Sequence, residues 1–157
     1  MRVIGGEFRS RRLKTLPGLD VRPTPDRLRE SLFNILAPSI EGAVFVDAYA
    51  GCGAVGIEAL SRGARKVVFI ERSRASAAVL RDNLASLGLT HKAEIIVGKT
   101  AAALARFASG IVFADPPYGL DCEYETTLRI LGASLPELAV IQHHKKRNLP
   151  ETSGGIE

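Results

Sequence analysis

The stretch "AVFVDAYAGCGAVGIEALSRG", residues 43–63, decides how this chain is read. An apolar run, Ala43-Val44-Phe45-Val46, reaches an acid at Asp47, turns through Gly51, Gly53 and Gly56, and enters a helical pattern that stops at Gly63. Strand, glycine loop and helix in that order open a nucleotide-binding α/β sheet, and Glu71 follows where an acid often meets a ribose. Asp47 complicates that reading. A dinucleotide puts its pyrophosphate against the glycine loop and helix N-terminus. Two like charges about 4 Å apart cost roughly 4 kcal/mol at an effective dielectric near 20. A ligand with a cationic end, such as the sulfonium and ammonium of S-adenosylmethionine, reverses the sign. Asp47 therefore points to a methyl-donor loop, a cap on the turn that follows being the alternative, with Glu71 suited to a ribose diol in either case.

Working outward, the chain alternates strand and helix from residue 43 onward. Strands are expected at Ala43–Asp47, Lys66–Glu71, Ala93–Val97, Ile111–Asp115 and Leu138–His143, and helices at Ala54–Arg62, Ser73–Leu87, Thr100–Ala108 and Cys122–Leu131. Gly63 and Gly88 stand where left-handed helix ends are expected. Short, apolar, β-branched strands separated by helices specify a doubly wound, mainly parallel α/β sheet with helices on both faces. Ligands of such sheets bind beyond the carboxyl ends of the strands, where Asp47, Glu71 and Asp115 stand. Before the sheet, "RPTPDRLRESLFNIL", residues 22–36, reads as a helix with Thr24 as N-cap, Pro25 as first helical residue, and an apolar stripe of Leu28, Leu32, Ile35 and Leu36.

A chain of 157 residues with 46% hydrophobic and 24% charged residues fits one globular domain. No apolar run reaches membrane-spanning length and no secretory h-region opens the chain, so a cytoplasmic protein without membrane contact is expected. Cys52 and Cys122 have no zinc spacing and read as reduced thiols. His143 and His144 would point to opposite faces of a strand, so no metal is expected. The net charge of +4 is unevenly spread: residues 1–29 hold eight basic residues against three acids, and the remainder is nearly neutral. The division expected is a basic N-terminal arm, 1–23, and a catalytic domain, 24–157. Clustered lysine and arginine release counterions from nucleic acid, while a solvated surface segment would show the same charge.

"FADPPYG", residues 113–119, follows the fourth strand and opens onto the same rim as the glycine loop. Methyl transfer to an exocyclic amine of a base fits it. That nitrogen is a poor nucleophile because its lone pair is delocalised into the ring. The Asp115 carboxylate and the Pro116 carbonyl are two acceptors for its two hydrogens. Pro116 and Pro117 stiffen the backbone that holds them, and Tyr118 offers a ring for the base to stack on.

The segments "RVIGGEFRSRRL", "RPTPDRLRESLFNIL", "DAYAGCGAVGIEALSRGA" and "FADPPYG" occur in the order and spacing of the bacterial 16S ribosomal RNA (guanine-N2)-methyltransferase family, which residues 1–145 resemble. The resemblance implies a class I methyltransferase fold, S-adenosylmethionine as donor, and transfer of its methyl group to the N2 amine of a guanine in 16S ribosomal RNA or an assembling small subunit. By position it assigns Asp47, Ala50, Gly51 and Gly53 to the first cofactor motif, Glu71 to the ribose, and Arg22 and Thr24 to the segment over the methionine end of the donor. It assigns Asp115, Pro116, Pro117 and Tyr118 to catalysis, and Arg2, Arg9, Arg11, Arg12 and Lys14 to RNA contact. The chain departs from the family pattern at Lys99, where an acid beside the donor's adenine is common. It departs also after the fifth strand, where the family continues into a hairpin that completes a seven-stranded sheet; a truncated chain, missing last strands and a smaller sheet are the three readings left open. An adenine-N6 DNA methyltransferase, using the same D-P-P-Y, and a catalytically silent nucleic-acid-binding module on the same fold are the alternatives.

Overall fold

The computed structural model of the protein describes residues 1–18, 24–117, 119–143, 145, 148 and 149. Five strands, β1 (Val44–Asp47), β2 (Lys66–Glu71), β3 (Ala93–Val97), β4 (Ile111–Ala114) and β5 (Leu138–Ile141), form one sheet in the order β3-β2-β1-β4-β5. Every pairing is parallel. The helices are α1 (Asp26–Ile40), α2 (Ala54–Ser61), α3 (Arg74–Ser86), α4 (Thr100–Phe107) and α5 (Asp121–Ser134). Among the described residues no helix is long and apolar enough to cross a membrane.

The two faces follow from the alternation of side chains along each strand. Phe45, Val67, Phe69, Ile111 and Phe113 face one cluster, which takes in α1, α2 and α3. Val46, Val68, Ile70, Val112 and Ala114 face the other, built with Ala103 and Leu104 of α4 and Leu131 of α5. The sheet is thus covered on both sides, as expected of such runs. Chain order reverses between β1 and β4: β2 and β3 lie to one side of β1, β4 and β5 to the other. That switch point sets a crevice past Asp47 and Ala114.

Several boundaries differ from the sequence expectation. The first helix begins at Asp26, with Pro25 (φ −54°, ψ 145°) in the N-cap position and no side-chain cap, so Thr24 does not cap it. Asp26 instead turns its carboxylate to Arg29, at 2.8 Å. The helix continues through Pro38 to Ile40, whose burial in the core (4% exposed) offsets the amide that proline removes in the last turn. Its buried face carries Arg29, Leu32, Phe33, Leu36 and Ile40, whereas Leu28 and Ile35 are exposed. Phe33, stacked on Phe45 with ring centroids 6.2 Å apart, fixes this rotation of the helix. β4 ends one residue before Asp115, β5 stops at Ile141, and α5 runs from Asp121 to Ser134. Gly63 and Gly88 adopt left-handed φ values of 105° and 68°, as their places after helices require.

Residues 1–14 fold back on α2 and α3. Val3 and Leu13 are buried in the core, and Arg2 and Arg12 form an antiparallel bridge. The Glu58 carboxylate, wholly buried on α2, accepts from the backbone N–H groups of Ile4 and Gly5, each at 2.8 Å. Asn83 of α3 accepts from the Lys14 N–H at 2.8 Å and donates to the carbonyls of Lys14 and Cys52.

Candidate active site

A cleft of about 300 Å³ opens past the carboxyl ends of β1 and β4. Asp47, Ala50, Gly51 and Asp115 line it from the sheet, Thr24 from the start of α1, and Met1 and Leu16 from the N-terminal segment. Five expected site residues therefore meet in one place, Asp47, Ala50, Gly51, Thr24 and Asp115, whereas Gly53, Glu71, Pro116 and Pro117 do not line the cleft. Arg22 and Tyr118 lie outside the described residues.

The glycine loop is shaped by three separate demands. Gly51 and Gly53 take left-handed φ values of 56° and 88°, which side chains rarely adopt. Gly56 has no such strain, but a Cβ there would lie 2.2 Å from the Phe69 ring, so its bareness lets α2 sit against β2. The Gly51 N–H donates to Glu71 at 2.7 Å, and the other Glu71 oxygen accepts from the Ser73 N–H at 2.7 Å. Glu71 thus braces the loop from β2 while each oxygen retains a lone pair for a further donor.

Asp47 is 1% exposed and accepts from the Gly56 N–H at 2.9 Å. Burial pushes its pKa up to about 7; the Gly56 N–H opposes this, and the charges of Asp115 and Glu71 add to it. Burial also raises Asp115 to about 6. Two carboxylates that resist ionisation, in a cleft that no Lys or Arg side chain lines among the described residues, favour a cationic ligand. A pyrophosphate would find the opposite field. The donor set and the cleft size, within the range of small-molecule sites, therefore fit the sulfonium and ammonium of S-adenosylmethionine.

The loop after β4 is held from α5. Tyr124, 1% exposed, donates from its hydroxyl to the Pro116 carbonyl at 3.2 Å and also faces the Gln142 carbonyl at 3.3 Å. The same helix fixes the first loop. Tyr49 meets the Glu123 carboxylate at 3.0 Å and the Thr127 hydroxyl at 2.9 Å, and burial pushes its own pKa up to about 12. Sequence reasoning missed Tyr49, Tyr124 and Glu58. The one signal available was a polar tip on side chains in otherwise apolar settings, which does not reveal a partner on another element.

The five basic residues assigned to RNA contact are all exposed. Arg2 pairs with Asp26 at 3.3 Å, Lys14 with Asp82 at 3.1 Å, and the Arg11 guanidinium reaches the Ser86 carbonyl at 3.4 Å. Lys99 is exposed at the N-cap position of α4 and does not line the cleft.

Comparison with known proteins agrees with this fold. The family described as "Conserved hypothetical protein 95" matches residues 1–157. The Bacillus subtilis protein named "Putative rRNA methyltransferase YlbH" is 35% identical, covering 99% of this chain and 89% of that one. The Escherichia coli "Ribosomal RNA small subunit methyltransferase D" is 43% identical over 120 residues, which are 75% of this chain and 60% of that protein. The match thus spans less than two thirds of the Escherichia coli protein. A solved Escherichia coli structure named "Putative methyltransferase yhhF" superposes with a TM-score of 0.72 at 44% identity, covering 83% of this chain and 71% of that one. The sheet and helices are those of a Rossmann-like methyltransferase.

Proposed function

This chain belongs to the family described as "Conserved hypothetical protein 95", and from that membership and its cleft we propose that it transfers a methyl group from S-adenosylmethionine to the N2 amine of a guanine in 16S ribosomal RNA. One observation carries the reading. Asp47 and Asp115, both resisting ionisation, share a cleft lined by no Lys or Arg side chain among the described residues, directly beside a D-P-P loop. The names of the Bacillus subtilis and Escherichia coli relatives support ribosomal RNA, rather than DNA, as the substrate.

The donor, when bound, supplies an electrophilic methyl on a cationic sulfur. Asp47 balances its positive charge, the Gly51 and Gly53 turn lets the backbone approach it, Glu71 meets the ribose hydroxyls, and Thr24 and Arg22 close over its methionine end. Asp115 accepts one hydrogen of the guanine amine, the Pro116 carbonyl accepts the other, and Pro117 holds both in place. Fixed there, the nitrogen is drawn out of conjugation with its lone pair aimed at the cleft. Tyr118 stacks the base. Orientation and a pre-arranged field supply the rate, and the amine proton leaves only after attack, to Asp115 or water. Arg2, Arg9, Arg11, Arg12 and Lys14 position the RNA backbone. A ribosomal substrate places the work in the cytoplasm, with an assembling small subunit as partner.

The test is a methyl-transfer assay on ribosomal RNA from a strain lacking this protein, with the modified base mapped. Methyl on a small-subunit guanine N2 is expected. Methyl on adenine N6 of DNA would move the reading to the DNA enzyme. Failure to bind S-adenosylmethionine by calorimetry would leave the silent module.

A further inference from the structure

We infer that Tyr124 is a positioning residue for methyl transfer, its hydroxyl, set between the Pro116 and Gln142 carbonyls, holding the Pro116 carbonyl in place for the target amine. The inference rests on the reaction proposed above and assigns it a residue outside the D-P-P-Y motif.

Three observations carry it. The Tyr124 ring is buried and cannot swing to solvent, so its hydroxyl has a fixed address. That address lies between two backbone carbonyls at nearly equal distance, Pro116 at 3.2 Å and Gln142 at 3.3 Å. A phenol has one proton, so it serves one carbonyl fully at a time, whereas each carbonyl has two lone pairs. Finally, α5, which carries Tyr124, also holds Tyr49 of the first loop through Glu123 and Thr127. The helix therefore presents the acceptor loop in a set relation to the donor loop.

The chemistry follows from the geometry. Without substrate, the hydroxyl satisfies the buried Pro116 carbonyl and fixes its direction. A second lone pair remains on that carbonyl for the amine. When the amine donates to that carbonyl, the hydroxyl stays between Pro116 and Gln142 and keeps the carbonyl's direction. No bond is made or broken by the tyrosine; the proton stays on the phenol throughout. A hydroxyl that only packed the corner would need one acceptor, and the second stands at the end of the neighbouring strand β5.

The test is Tyr124→Phe, which keeps the ring and removes only the hydroxyl, measured beside the wild type with S-adenosylmethionine and small-subunit ribosomal RNA. We expect kcat to fall at least tenfold while the donor Kd and the KM for RNA stay within twofold. In the same variant without donor or RNA, hydrogen exchange at the amides of Gly119 and Leu120 should quicken severalfold, and the amides of α2 should keep their wild-type rates. Unchanged kcat overturns the inference. So does a variant that loses donor binding and thermal stability together, because the hydroxyl would then hold the fold rather than the carbonyl. A wild type that transfers no methyl removes the proposed function and the inference with it, whereas an active wild type beside an equally active Tyr124→Phe removes the inference alone.

Discussion

The Asp47 carboxylate and the Gly56 N–H lie 2.9 Å apart, buried in the first turn of α2, so one acid serves both the helix and the cleft. Its pKa of about 7, against 3.8 for an ordinary aspartate, makes this an acid that the fold would rather keep protonated. Below about pH 4 it is neutral folded or unfolded and costs nothing. As pH rises toward 7 the unfolded chain ionises first, so stability is lost across that interval and levels off above it. Asp47→Asn, whose amide oxygen can still accept from Gly56, should therefore melt higher than wild type at pH 8, with the gap closing by pH 4. The difference has an upper limit of about 4 kcal/mol. Paired thermal melts across this range decide it, and a gap that does not depend on pH would remove the buried charge from the account.

The same variant bears on donor binding with the opposite sign. A cationic ligand favours ionised Asp47, so wild-type affinity for S-adenosylmethionine should rise between pH 6 and 8. Asp47→Asn should bind more weakly at pH 8 and lose that rise. Calorimetry at several pH values reads both; an affinity that is flat in wild type separates Asp47 from the ligand's charge.

Asp115 should behave differently. Asp115→Ala is expected to cut methyl transfer on the order of 100-fold or more, the scale for removing one pre-arranged polar group beside a reacting centre, while the donor still binds. With its pKa near 6, the wild-type rate should climb from pH 5 to 7 as the carboxylate becomes an acceptor. Activity in the alanine variant equal to wild type would take Asp115 out of the reaction.

Gly56→Ala tests the loop's packing apart from its chemistry. The added Cβ would sit 2.2 Å from the Phe69 ring in a filled core. A loss of about 1–3 kcal/mol is the usual cost of such overpacking, and denaturant unfolding measures it. An unchanged midpoint would mean that α2 can ride off β2 freely.

Neutralising Arg9, Arg11 and Arg12 together tests RNA binding by the N-terminal segment. For every phosphate that a removed charge had neutralised, the dependence of log affinity on log salt should flatten by nearly one unit. Because Arg11 already reaches the Ser86 carbonyl, its share should be smaller than that of Arg9 or Arg12. A slope equal to wild type would leave the basic segment a solvated surface.

How much of this could be read from the chain alone depended on the range of the interaction. Apolar runs placed all five strands: β1, β2 and β4 carry the buried rows, while the edge strands β3 and β5 are only partly covered and β3 admits Glu94. The helix before the sheet was found but turned by a residue: Leu28 is exposed and Arg29 buried, since Glu58 and the Arg2 carbonyl give the guanidinium partners that local periodicity cannot see. Asp47 and Asp115 were legible because strand ends in this architecture converge. Tyr124 was not, because its partners, Pro116 and Gln142, meet it only after α5 has folded back across the sheet edge.

The buried Glu58 has a consequence for heredity as much as for stability. It binds the backbone of Ile4 and Gly5 on one side and Arg62 at 2.8 Å on the other. Residues 1–14 are therefore not a detachable module that could be traded between related chains to alter what RNA they meet. A graft that misplaced those two amides would strand a carboxylate in the core and open the wall to which Met1 and Leu16 contribute. Segment and sheet can change only in step.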